Sequence, residues 1–167
     1  MNGKNLDVFI SYRRSDGTDK ARILDFAFSI DDCRTFLDFK SLGTGPFDKR
    51  LENAVLDAPI FIMVLTPDYF VRCNEDGDWV RKEIELALEN DKKIIPINYD
   101  AVLNGVPDYL DDDFRNRVGC HNFVNLHGDN TFNATVKDIF DKHIRPYVST
   151  HSNNEGKAKV SFKTDAD

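Results

Sequence analysis

Two stretches decide the fold: Ile60-Phe-Ile-Met-Val-Leu-Thr66 and Lys93-Ile-Ile-Pro-Ile-Asn98. Both are nearly continuous apolar runs with no alternation of polar residues. A strand facing water on one side would alternate, so these read as strands buried on both faces, as in a parallel sheet covered by helices. Working outward, Val8–Tyr12, Arg34–Asp38 and Phe123–Leu126 read as three further strands. Between them the apolar spacing turns helical. Pro46 opens a helix carrying Phe47, Leu51, Ala54, Val55 and Ala58 on one stripe, and Pro59 ends it. Trp79–Asn90 places Val80, Ile84, Ala87 and Leu88 on one face. Phe132, Val136, Ile139, Phe140 and Ile144 mark a last helix expected to end near Pro146. Tyr99–His121, with Gly105, Pro107 and the acidic run Asp111–Asp113, reads as a loop with at most one short helix. The alternation predicts an α/β fold: a flavodoxin-like, open five-stranded parallel sheet of order 2-1-3-4-5 with helices on both faces.

The 167 residues suit one domain with a short appendage. Residues 1–148 form the expected domain and 149–156 a polar linker. In 157–167, Ala158, Val160 and Phe162 alternate with polar residues, as at the start of a truncated second domain or in a disordered tail. With 41% hydrophobic and 31% charged residues the composition is that of a globular protein. A net charge of −7 offers no counterion release on nucleic acid, so none is expected as a partner. The longest apolar run, Ile60–Leu65, is too short to span a bilayer, and no membrane association is expected. The N-terminus lacks the apolar stretch of a signal peptide. Cys33, Cys73 and Cys120 are odd in number and widely spaced, which fits a reducing, cytoplasmic setting. His121, His127, His143 and His151 form no metal-binding cluster with them, so no metal site is expected.

In an open α/β sheet the functional crevice lies beyond the carboxyl ends of the strands. That rule selects Ser11–Arg14 after the first strand, Asp38 with the loop through Phe47 after the second, and Thr66–Trp79 after the third. Gly43-Thr-Gly45 lacks the third glycine of a dinucleotide loop and the lysine of a Walker loop. It reads as a turn entering a helix, a poor phosphate cradle but a candidate lid. Response-regulator chemistry would need an aspartate where the third strand ends at Thr66-Pro67, and Asp7 sits at the wrong end of the first strand. Ser11 has no nucleophile elbow and no histidine partner. Trp79 and Glu83, four apart, share one helix face. Two readings stay open for them. Trp79 packs while Glu83 pairs with Lys82, Lys93 or an arginine, or both belong to a site. Arg13-Arg14 is likewise either an exposed pair or part of that site.

The stretch Asp7-Val-Phe-Ile-Ser-Tyr12 followed by Arg13-Arg14 resembles the first box of the TIR (Toll/interleukin-1 receptor) domain family. Phe36–Val55 resembles the family's BB loop and the helix after it, and Asp78–Ile97 the helix and strand that follow. The likeness runs from Asp7 to Tyr147 and is greatest to the NAD-cleaving branch, in particular its bacterial members. It implies that Glu83, in Trp79-Val-Arg-Lys-Glu83, is the catalytic glutamate. It further implies that Arg13, Arg14, Asp38, Gly43, Phe47 and Trp79 border the nucleotide. Relatives often carry glutamate or arginine where Gly43 stands. NAD+ would be the substrate, with no separate cofactor. The products would be nicotinamide and ADP-ribose or a cyclic isomer, in bacterial signalling or defence. Activity would depend on self-association with other TIR domains. The alternative is a non-catalytic TIR–TIR interaction module, a class that generally lacks the glutamate.

Overall fold

A computed structural model describes residues 5–37 and 47–152 of the chain. Five parallel strands, β1 (Val8–Ser11), β2 (Thr35–Phe36), β3 (Ile60–Leu65), β4 (Lys93–Tyr99) and β5 (Val124–Leu126), form one sheet. Its order is β2-β1-β3-β4-β5, as the sequence predicts. The helices are α1 (Arg14–Ser29), α2 (Lys49–Asp57), α3 (Trp79–Glu89), α4 (Asp112–Gly119), α5 (Phe132–Ile139) and α6 (Arg145–Ser152).

Every residue of β3 is buried, which is why its sequence shows no alternation. Side chains still part by parity. Phe61, Met63 and Leu65 enter the layer under α2, α3 and α4. Ile60, Ile62 and Val64 enter the layer under α1 and α5. In the first layer Phe9 stacks on both Phe36 and Phe61, with centroids 5.4 and 5.5 Å away, a ladder across β2, β1 and β3. At the opposite edge from the expected site, buried Asp7 accepts the Arg34 N–H at 2.8 Å and ties the start of β2 to β1.

Between Tyr99 and His121 stands the one short helix that the sequence reading allows, α4, whereas the last helix departs from that reading. Asp111, in the acidic run, is the N-cap of α4, its carboxylate accepting the Phe114 N–H. Pro146 does not end the last helix. A π-helical turn, Phe140–Ile144, follows α5, and Pro146 becomes the second residue of α6. The Arg145 N–H reaches back five residues to the Phe140 carbonyl, and this π-helical widening stands directly before Pro146, which has no N–H to donate. Helix thus continues through Ser152, past the expected domain end at Val148. Residues 153–167, with the rest of the expected linker and the tail, lie outside the described residues.

Where the carboxyl ends of β1 and β3 meet α3, one carboxylate does two jobs. Asp78 is the N-cap of α3, its Oδ2 accepting the Arg81 N–H at 3.0 Å. It also takes the Arg13 guanidinium bidentately, Nη1 on Oδ1 at 2.7 Å and Nη2 on Oδ2 at 3.1 Å. Arg13 Nη2 and Nε further donate to the Tyr69 carbonyl at 2.9 and 3.3 Å. Gly17, in the first turn of α1, lies so near the end of β1 that a Cβ there would stand 3.4 Å from Tyr12 Cβ.

Asp78→Ala removes the cap and strands a buried guanidinium, and it should cost about 3–5 kcal/mol in urea unfolding. Arg13→Leu should recover part of that loss in the Asp78→Ala background. Equal stability of wild type and Asp78→Ala would show that the pair does not anchor α3. Phe61→Ala, in the aromatic ladder, should cost about 3–5 kcal/mol by the same measurement.

Candidate active site

The side chains at this edge come from β1, the loop after β3 and the first two turns of α3. Glu83 lies one turn after Trp79, on the flank of α3 turned toward the sheet, and is 8% exposed. Ser11, the last residue of β1, donates its hydroxyl to Glu83 Oε2 at 2.7 Å. Ser11 Oγ is also 2.9 Å from the phenolic oxygen of Tyr69. Tyr69 reaches this point because the loop after β3 is pinned to α1: Asp16 accepts from the Thr66 hydroxyl at 2.6 Å and from the Asp68 N–H at 2.9 Å.

Trp79 is mostly buried and meets Phe47 edge to face, with centroids 5.8 Å apart. Lys82 Nζ lies 6.0 Å from the centroid of the Phe47 ring. Phe47, Trp79 and Glu83 therefore gather into one wall, with Phe47 delivered by the segment that enters α2. Lys93, one of the partners considered for Glu83, begins β4 at the other edge of the sheet and sits over Tyr147.

The two arginines part company. Arg13 is 7% exposed and held by Asp78 and the Tyr69 carbonyl, so the exposed-pair reading does not hold for it. Burial alone would pull its proton affinity down, but the hydrogen bonds and charge of Asp78 hold it above the ordinary arginine value. Its charge is thus directed into the α3 anchor. Arg14 is exposed, as the first residue of α1. Asp38 and Gly43, with the glycine loop, lie outside the described residues.

The sequence puts Ser11, Tyr69 and Asp78 in segments at the carboxyl edge but does not reveal their roles. Ser11 reads there only as a rejected nucleophile, and its partner is a carboxylate. A readable signal existed for Asp78 alone, an aspartate directly before a helix. Cys73, beneath Arg13, carries no thiolate chemistry: burial pushes its thiol up to about 12. All three cysteines are free, and only Cys120 is exposed. Among the described residues no group of three or more His, Cys, Asp or Glu could hold a metal ion. No helix among them is long and apolar enough to cross a membrane. A buried carboxylate held by a hydroxyl beside an aromatic wall can stabilise positive charge developing on a bound ligand.

The family model described as TIR domain matches residues 8–140. The chain is 43% identical over 97 residues to NAD(+) hydrolase sarm1 of Drosophila melanogaster, covering 56% of this chain and 7% of that protein. It is 43% identical over 100 residues to NAD(+) hydrolase tir-1 of Caenorhabditis elegans, covering 58% and 10%. To NAD(+) hydrolase SARM1 of Danio rerio it is 38% identical over 97 residues, covering 56% and 14%. The match thus spans only 7–14% of the length of these curated relatives. In fold, the chain is similar to the TIR domain of the Toll-related receptor TRR-2 from Hydra magnipapillata. The TM-score is 0.56 at 21% identity, covering 84% of this chain and 98% of that one. The TIR domains of the activated Roq1 resistosome give a TM-score of 0.53 at 20% identity, covering 81% and 98%. With the sheet order and a family match across residues 8–140 in agreement, this chain belongs to the TIR domain family.

Proposed function

We propose that this chain is an NAD+ nucleosidase that breaks the nicotinamide–ribose bond with Glu83 as its catalytic carboxylate. The observation that carries this reading is Glu83 itself, buried at the carboxyl edge of the sheet and held by Ser11 beside the Trp79–Phe47 wall. The names of the animal relatives support it.

The chemistry asks for such a group. Nicotinamide leaves neutral from a pyridinium, so no acid is needed to protonate it, and positive charge builds on the ribose carbon. A carboxylate facing that carbon stabilises the oxocarbenium-like transition state, as carboxylates do for glycosides. A millionfold acceleration requires about 8 kcal/mol, more than one carboxylate supplies, so orientation of the ribose must contribute. Trp79 and Phe47 would form the apolar wall against which nicotinamide and ribose are held. Arg14 would supply a guanidinium to the pyrophosphate from the head of α1. In the same reading Arg13 acts from behind the wall, through Asp78, and Asp38 and Gly43 line the approach. Water at the ribose carbon gives ADP-ribose, and an adenosine nucleophile gives a cyclic isomer.

Self-association with other TIR domains belongs to this proposal. It is supported by α1 and its C-cap, where Ile23, Phe26 and Ile30 stand exposed on one stripe. The bacterial signalling or defence setting belongs to the same proposal and rests on the family resemblance read from the sequence. The cytoplasmic location rests on the cysteine usage.

Liquid chromatography of NAD+ incubated with concentrated protein tests the reaction. Wild type should release nicotinamide, and Glu83→Gln should lower the rate by about a hundredfold to a thousandfold, the scale for losing one electrostatic transition-state group. Equal release by both proteins would remove Glu83 from its role. No release by either, even crowded on beads, would favour the non-catalytic interaction module. Specific activity should rise as protein is concentrated, and a flat dependence would separate cleavage from association. Arg14→Ala should raise KM for NAD+ about five- to tenfold at nearly constant kcat, the signature of lost uniform binding.

A further inference from the structure

The role of Glu83 leaves two buried hydroxyls to account for. Ser11 is 1% exposed and Tyr69 fully buried, so neither hydroxyl can be satisfied by bulk water. A serine hydroxyl carries a single proton. That proton is committed to Glu83 Oε2 at 2.7 Å, so across the 2.9 Å contact Tyr69 must be the donor and Ser11 the acceptor. The order is therefore fixed: phenol to serine, serine to carboxylate. Both links join distant parts of the chain, 58 and 72 residues apart, and no local backbone requirement explains them.

We propose that Tyr69 and Ser11 are positioning residues for the cleavage reaction, a two-link hydroxyl chain that orients the Glu83 carboxylate and favours its ionised form. The inference rests on the reading of Glu83 given above. Burial disfavours a charged carboxylate, whereas a hydrogen bond donated to it favours the charge. A donor that itself receives a hydrogen bond is polarised and donates more strongly. Tyr69 can serve as the permanent head of the chain because burial holds its phenol well above the ordinary tyrosine value.

Tyr69 feels Arg13, two residues past β1, and Cys73 in the loop after β3, and Cys73 in turn feels Asp78 and Arg81 from the head of α3. Arg13 and Asp78 offset one another as an ion pair, and Cys73 stays a neutral thiol. The hydroxyl chain is aimed at the carboxylate itself. The ring of Tyr69 is fixed by an edge-to-face contact with Phe70, centroids 5.0 Å apart, so its hydroxyl is delivered to one place.

The test compares wild type, Ser11→Ala, Tyr69→Phe and the double variant in the whole chain. Two readouts are used: steady-state NAD+ cleavage, and the titration midpoint of the Glu83 carboxyl followed by carbon-13 NMR. Ser11→Ala should lower kcat about ten- to a hundredfold with KM within about twofold, and Tyr69→Phe about three- to tenfold. The double variant should be no slower than Ser11→Ala, because Tyr69 acts only through Ser11. The Glu83 midpoint should move up by about half a unit or more in Ser11→Ala, less in Tyr69→Phe, and no further in the double. Losses that multiply in the double variant, or a midpoint that does not move, would overturn the chain. Tyr69→Phe keeps the buried ring, so it decides the matter if Ser11→Ala unfolds. The NMR readout does not depend on turnover. If wild type cleaves no NAD+ yet the midpoints follow this order, the cleavage reading falls and the hydroxyl chain stands.

Discussion

A charge that leaves water must be met by another, and at the carboxyl edge of this sheet that requirement is met by Asp78 and Arg13. Against a well-packed apolar alternative such a buried pair contributes little net stability. Its value is positional. Because the same carboxylate caps α3, the first residue of the helix has a fixed place relative to the end of β1. Trp79 and Glu83 follow by helical geometry alone, one turn apart. The 2.7 Å contact between Ser11 and Glu83 is therefore a consequence of how α3 begins. Arg13, two residues beyond Ser11, closes the loop: one strand end supplies both the group that anchors the helix and the group that touches its carboxylate.

Behind this edge the sheet is packed so that little can shift. The stack of Phe36, Phe9 and Phe61 runs beneath α2 and α3, and β3 is enclosed along its whole length. Interiors of this kind behave as close-packed solids, so a displacement of α3 would be resisted by the entire layer. The reactive edge is built from strand ends and loops set on that rigid block, the usual division of labour in open α/β sheets.

The fold was legible because its signals are local. Ile60–Leu65 and Lys93–Asn98 announce buried strands by composition, and α3 announces its inner face by spacing. The site was legible only where one helix carries it, at Trp79 and Glu83. Ser11 and Tyr69 meet across 58 residues, and no periodicity encodes such a meeting. Arg13 showed its charge in the sequence but not its partner, since pairing with Asp78 spans 65 residues. Pro146 misled for a different reason. Proline breaks a regular α-helix, but a π-helical turn directly before it lets the helical run continue past it.

Trp79 is the only tryptophan in the chain, and it forms the wall beside Glu83, in edge contact with Phe47. All indole emission from this protein therefore originates within a few ångströms of the proposed reaction. An optical probe is built into the pocket, one that needs no label and has no background from a second indole elsewhere. Any ligand that stacks on that wall, and any loosening of the head of α3, is written directly into the colour and intensity of its fluorescence.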